Sequence, residues 1–207
     1  MQTPASVGHQ FNIIKETDMN IYLVRHGITT ANRDERYAGT WEVPLSKEGE
    51  AELKRFAGAG YYPGPEGKRI ITTGMLRTEQ TLKVIYGDIP HERFPGLKEM
   101  DFGIFERKTY GELCDIPEYT VWLSDESGDV VCPGGESRNE FTMRVMEPFN
   151  EILSASQDAV VICHGGTISA IMCSLFPNER NYLYWIPKSG RGYKLLIDGD
   201  KRCYAEL

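Results

Sequence analysis

With 207 residues, the chain is long enough to bury a full core in one domain or, at most, two small ones. A net charge of −7 points away from nucleic acid or an anionic membrane as the main partner, and no apolar run is long enough to span a bilayer. The five cysteines (Cys114, Cys132, Cys163, Cys173, Cys203) have neither metal-ligand spacing nor a disulfide pattern. They predict a reduced, cytoplasmic protein, with Cys163 and Cys173 as inert core residues.

The first 18 residues lack the apolar stretch of a secretory leader and read as a loosely ordered tail, with Met19 as an alternative start. Ile21 to Val24 then form an apolar run of the kind found in strands buried on both faces, and it leads directly into Arg25, His26 and Gly27. In parallel sheets, ligands bind just beyond the carboxyl ends of the strands. The chemistry is therefore expected at that end, with Gly27 opening the backbone to a ligand. A lone histidine after a strand is more often structural, so the rest of the chain has to decide.

Ser46 is an N-cap for a helix from Lys47 to about Ala59, with Leu53, Phe56 and Ala57 on its apolar side. Glycines and prolines between Gly58 and Gly67 end it. Arg69 to Thr72 is a second short strand, and Thr78 caps a helix to about Tyr86, which puts Arg77 at a strand-to-helix junction. Residues 97–133 mix short apolar groups with Gly, Pro and acids, and read as an insertion of short helices over the sheet edge. Its aromatics Tyr110, Tyr119 and Trp122 are expected to pack on the core rather than touch a ligand.

Ser137 and Glu140 have capping-box spacing, and Phe141, Val145, Phe149 and Ile152 make one apolar stripe on the helix that follows. Pro148 should kink it. Ala159 to Cys163 is a third buried strand, ending in His164, Gly165 and Gly166 before an apolar helix from Thr167 to Leu175. Tyr193 to Ile197, a turn at Asp198-Gly199 and a last strand from Arg202 read as a hairpin at the sheet edge. Strands alternating with helices predict an α/β fold: a three-layer αβα sandwich, mostly parallel, with an antiparallel edge strand. No linker follows residue 19, so 19–207 is expected to be one domain.

Three strands thus finish in one kind of chemistry: Arg25-His26-Gly27, Arg77, and His164-Gly165-Gly166. In a parallel sheet these ends share an edge. Two arginines, two histidines and helix N-termini would then converge on a pocket suited to a dianionic phosphate.

These residues resemble the histidine phosphatase superfamily, the phosphoglycerate-mutase-like proteins. Leu23-Val24-Arg25-His26-Gly27 with Thr29 and Asn32 matches the first signature. Arg77 with Thr81 matches the second, and Leu97-Lys98-Glu99 with Gly103 and Glu106 the third. Pro133 to Ser137 and Cys163 to Gly166 complete the set. Three positions depart from the pattern: Ile28 and Glu42 stand where Glu and Asp are usual, and Arg107 replaces a common glycine.

The resemblance implies a phosphoric monoester hydrolase of the histidine acid-phosphatase type, without cofactor or metal, acting on a small phosphate ester. It implies His26 as nucleophile and Glu99 as proton donor, then acceptor. It also implies His164, Arg25, Asn32, Arg77, Thr29 and Gly165 around the phosphoryl group, with residues 97–135 as a lid-like insertion over the site. Phosphoglycerate mutase is the alternative activity, and a silent phosphate-binding module the alternative without one. Arg33, Arg36, Trp41, Tyr184 and Arg191 are candidates for the mouth, with the Gly190-Arg191-Gly192 loop able to close over it. His9 and His91 are left as surface residues.

Overall fold

The computed structural model describes residues 18–207, so the expectations for the N-terminal tail and for His9 lie outside the described residues. Among the described residues six strands, β1 to β6 in chain order, form one sheet in the order β3-β2-β4-β1-β5-β6. β1 (Met19–Arg25), β2 (Arg69–Thr72), β3 (Glu92–Arg93) and β4 (Ala159–Cys163) run parallel. β5 (Gly192–Asp198) and β6 (Lys201–Glu206) form the expected hairpin, and β5 lies antiparallel to β1. The antiparallel part is thus two strands wide.

Alternation along β1 and β4 builds the layers. Ile21, Leu23, Ala159, Val161 and Cys163 face one side, where α6 (Arg138–Ser154) and α7 (Gly165–Leu175) pack. Val24, Val160 and Ile162 face the other, under α2 (Lys47–Gly58) and α3 (Leu76–Tyr86). The result is a mixed α/β fold with helices on both faces of the sheet. The stripe Phe141, Val145, Phe149 and Ile152 on α6 is fully buried, each side chain contributing roughly 1.5–3 kcal/mol. Its capping box at Ser137 and Glu140 forms as expected, and the helix runs on past Pro148 without ending.

Several local readings change. α3 begins at Leu76 with Met75 at the cap, so Arg77 lies inside the first turn. The Thr78 hydroxyl donates to the Met75 carbonyl (2.8 Å) and caps nothing. The exposed carboxylate of Glu42 accepts the Leu76 N–H instead (2.8 Å), supplying from a distant loop the cap that Met75 lacks. α7 begins at Gly165, two residues earlier than its periodicity shows. His91 is no surface residue: its Nε2 lies 3.0 Å from Glu79 Oε2 and its side chain is mostly buried. α1 (Thr30–Arg33), β3 and the 3-10 turn Tyr182–Trp185 escape the sequence reading because each is too short for a periodic signal.

The segment after Leu97 carries α4 (Tyr110–Leu113) and α5 (Pro117–Leu123). It has its own core of Phe105, Leu113, Tyr119 and Cys132. Tyr119 packs there as expected, while Tyr110 is exposed. Trp122 does both jobs, packing on this core and lining a cavity at the sheet's carboxyl edge. Cys163 is buried, whereas Cys173 is only partly so; burial pushes both thiols up.

Candidate active site

Register brings the two histidines together. Arg25 pairs with Cys163 across the β1–β4 ladder, so the next residue of each strand, His26 and His164, leaves the sheet side by side. The His26 N–H still donates to the Cys163 carbonyl (3.0 Å), and the two rings lie 5.3 Å apart. Gly27 serves a different purpose from the one expected: a Cβ there would sit 2.6 Å from Leu53 Cδ1, so its absence lets α2 pack.

His26 Nδ1 is 2.8 Å from the Gly27 carbonyl oxygen. A carbonyl can only accept, so Nδ1 carries the proton and Nε2 keeps its lone pair. The ring is 5% exposed. His164 is fully buried and takes the Arg77 Nε–H on Nδ1 (3.1 Å), leaving Nε2–H to donate to Thr73 Oγ1 (3.0 Å). Burial first, then the charge of Arg77, holds both imidazoles well below their ordinary 6.5. Arg25 depresses each of them further.

Arg77 is the hub of the site. Besides His164 it donates to the carbonyls of Trp41 (3.0 Å), Ala38 (3.2 Å) and Gly39 (2.8 Å). The Glu106 carboxylate grips the other side of that loop, accepting the amides of Gly39 (2.9 Å) and Thr40 (2.8 Å). Arg25 donates from Nη1 to the Pro187 carbonyl (2.7 Å), while its Nε is buried with no partner. A buried charged donor without an acceptor is costly unless an anion answers it. Its guanidinium lies against Gly165, where a Cβ would come within 3.2 Å of Arg25 Cζ.

Glu99 accepts the Met100 N–H on Oε1 and the Gly166 N–H on Oε2, both at 2.9 Å, which docks its carboxylate on the first turn of α7. Asn32 accepts the Thr29 amide (3.1 Å) and hydroxyl (2.9 Å) on Oδ1, which turns Nδ2 outward as a donor. The Thr29 hydroxyl is therefore already engaged, and it also caps α1. Arg25, His26, Thr29, Asn32, Arg77, Glu99 and Gly165 line one cavity of about 370 Å³. His164 stands behind the wall, touching it through Arg77.

Of the mouth candidates, Arg36 lines this cavity, with Nη1 held by the Arg107 carbonyl (2.6 Å) and Glu112 (2.9 Å). Arg33 pairs with Asp34 at the surface, and Arg191 stacks on Phe56 and Tyr61. Trp41 contributes its carbonyl to Arg77, and the Tyr184 ring projects from the surface. Arg107 takes φ +67°, the conformation glycine favours, and lies over the Trp41 ring. Ile28 stays off the cavity wall; its carbonyl holds the Ser46 amide (2.8 Å). Phe102, Arg138 and Tyr182 also line the cavity, and nothing in their spacing marks them in advance.

The two depressed imidazoles tie stability to pH. As pH falls through about 6.5 the unfolded chain protonates both rings while the folded protein does not, so unfolding takes up protons. Stability is complete above that pH and is lost below it, by up to about 2.7 kcal/mol per pH unit for the pair. Urea midpoints measured between pH 7.5 and 5.5 should fall accordingly, and His164→Asn should remove about half of the slope. A midpoint independent of pH over this range would rule out buried neutral rings.

The profile of the histidine phosphatase superfamily (branch 1) matches residues 21–192. The adenosylcobalamin/alpha-ribazole phosphatase of Salmonella typhimurium is 28% identical over 163 residues, covering 76% of this chain and 79% of the relative. Among solved structures, the phosphoglycerate mutase of Thermus thermophilus superposes with a TM-score of 0.68 at 31% identity, covering 91% of this chain and 98% of that one. The alpha-ribazole phosphatase of Shigella flexneri superposes with a TM-score of 0.81 at 22% identity (91% and 96% covered), a likeness of fold.

Proposed function

The chain belongs to the histidine phosphatase superfamily, and on that footing we propose that it is a metal-independent phosphomonoesterase acting on a small phosphorylated metabolite through a phosphohistidine. The observation that carries this is His26: a neutral ring with a protonated Nδ1, an open Nε2, and two guanidiniums beside it. His26 Nε2 attacks phosphorus and the ester P–O bond breaks. Glu99 gives its proton to the departing alkoxide. Water then attacks the phosphohistidine, Glu99 takes its proton, and the N–P bond breaks to release phosphate.

The transition state carries charge on the equatorial oxygens, where fixed donors act most strongly. The Arg25 guanidinium, the free Asn32 Nδ2 and the first turn of α7 at Gly165 are the donors suited to them. Arg77 supplies charge and has four of its five N–H groups held in place. His164 acts through Arg77, fixing its plane.

A mutase must also hold a second anionic group of its substrate. Of the outer cations, Arg36 is paired with Glu112 through Nη1, while Arg138 meets only the carbonyls of Asp125 (3.2 Å) and Glu126 (2.8 Å) through Nη2. The pairing of Arg36 is what supports hydrolysis over isomerisation. All five cysteines are free thiols, which supports a reducing cytoplasmic setting. The test is phosphate release from 4-nitrophenyl phosphate in the presence of EDTA, together with product analysis on 3-phosphoglycerate. Release without metal and without formation of 2-phosphoglycerate is expected. Isomerisation would select the mutase, and no turnover at all a silent binding module.

A further inference from the structure

The cavity has a charged inner end and an outer wall that is largely apolar apart from Arg36, Asp125 and Arg138. Its inner end is the cluster of Arg25, His26, Arg77 and Glu99. Its outer wall includes Met100, Phe102, Trp122, Leu123, Leu183 and Ile186, drawn from the insertion and from the turn after α7. Tyr37 belongs to the same wall, its ring 5.0 Å from Phe102 and 6.1 Å from Trp122. The Tyr37 hydroxyl is turned to the Tyr119 hydroxyl (2.7 Å), so its polar end is already paired. Asp125, also on the wall, has Oδ1 taken by the Ser127 amide (2.9 Å) and hydroxyl (2.6 Å), and Oδ2 by the Val130 amide (3.1 Å).

A polyol entering here would give up water and find the Tyr37 hydroxyl and the Asp125 carboxylate already engaged. Arg36 is held at Nη1 and Arg138 at Nη2, which leaves only their remaining N–H groups to answer it on an otherwise apolar wall and penalises it. An apolar body would lose nothing, and would cover Leu123 and Leu183, which stand 53% and 73% exposed at this wall. Resting on the phosphomonoesterase reading above, we infer that the preferred substrates are monoesters whose alcohol carries an apolar body, alkyl or aromatic, next to the ester. Sugar phosphates and phosphoglycerates are discriminated against. The outer wall reads the alcohol and the inner cluster reads only the phosphoryl group.

The experiment is a kcat/KM series on n-alkyl monophosphates from ethyl to hexyl, with glycerol 3-phosphate and 3-phosphoglycerate alongside. The alkyl esters share one leaving-group acidity, so any trend reports contact with the wall. The value should rise roughly two- to four-fold per methylene, the range expected for burying a CH2 group. In the Leu123→Ser, Leu183→Ser double variant, both sites exposed and so tolerant of the change, the hexyl-to-ethyl ratio should collapse toward one. Turnover with a flat or falling profile, with the two polar esters preferred, or with an unchanged ratio in the variant would overturn the inference while leaving the hydrolase reading intact. No turnover of any ester, 4-nitrophenyl phosphate included, would overturn that reading and this inference together.

Discussion

Replacing His26 by Ala is expected to lower phosphate-ester turnover by at least ~10³-fold, because an unreplaced nucleophile leaves only binding and electrostatic stabilisation. Binding of inorganic phosphate should change far less. Arg25, Arg77 and the first turn of α7 stay in place, since His26 holds them by no hydrogen bond of its own ring other than the one to Gly27. The two readouts separate attack from binding. Rapid quenching of the unaltered protein with a labelled ester should trap a phosphoryl group on His26 that is lost in acid and kept in base. Full activity in His26→Ala, or a label on another side chain, would remove His26 from the mechanism.

Arg77→Ala should cost more in stability than any other single change in the site. The side chain is 1% exposed and donates to one imidazole and three carbonyls. Deleting it strands those carbonyls and frees the loop that Glu106 holds from the other side. A destabilisation of about 3–5 kcal/mol is expected, since each buried acceptor left without its donor costs about 1–3 kcal/mol and the loop relaxes only in part. kcat/KM should fall by about 10²–10³ from the loss of a charge facing the transition state. Arg77→Lys should recover part of the stability but little of the rate, since an ammonium has three donors and no planar fork. Urea unfolding beside steady-state kinetics separates the two effects. If Lys restores the rate fully, the bond to His164 and the shape of the fork are irrelevant to catalysis.

The sheet and the family motifs are legible in the chain for different reasons. β4, β1 and the stripe on α6 are long enough for a period to show, and residues buried on both faces of a strand leave an unbroken apolar run. α1 and β3 are a single turn and a two-residue rung, below any periodic signal. The helix start at Leu76 is hidden because its cap arrives from Glu42, 34 residues away, rather than from a neighbour. His91 is hidden for a similar reason: its partner Glu79 sits on α3, and only folding brings them together.

The identity of the proposed reactive groups is written in the chain itself. Arg25, His26, Arg77, Glu99 and His164 follow strand ends or motif positions, and the polarity of a parallel sheet sends such ends to one edge. Their protonation and their division of labour belong to the tertiary structure. The proton position on His26 depends on one carbonyl, and the placing of His164 behind Arg77 depends on the β1–β4 register. The outer wall is a tertiary decision throughout, since residues as far apart as Tyr37, Trp122 and Leu183 become neighbours only when the insertion folds down. Local sequence sets which groups a segment offers, while burial and long-range hydrogen bonds set which of them remain free to act.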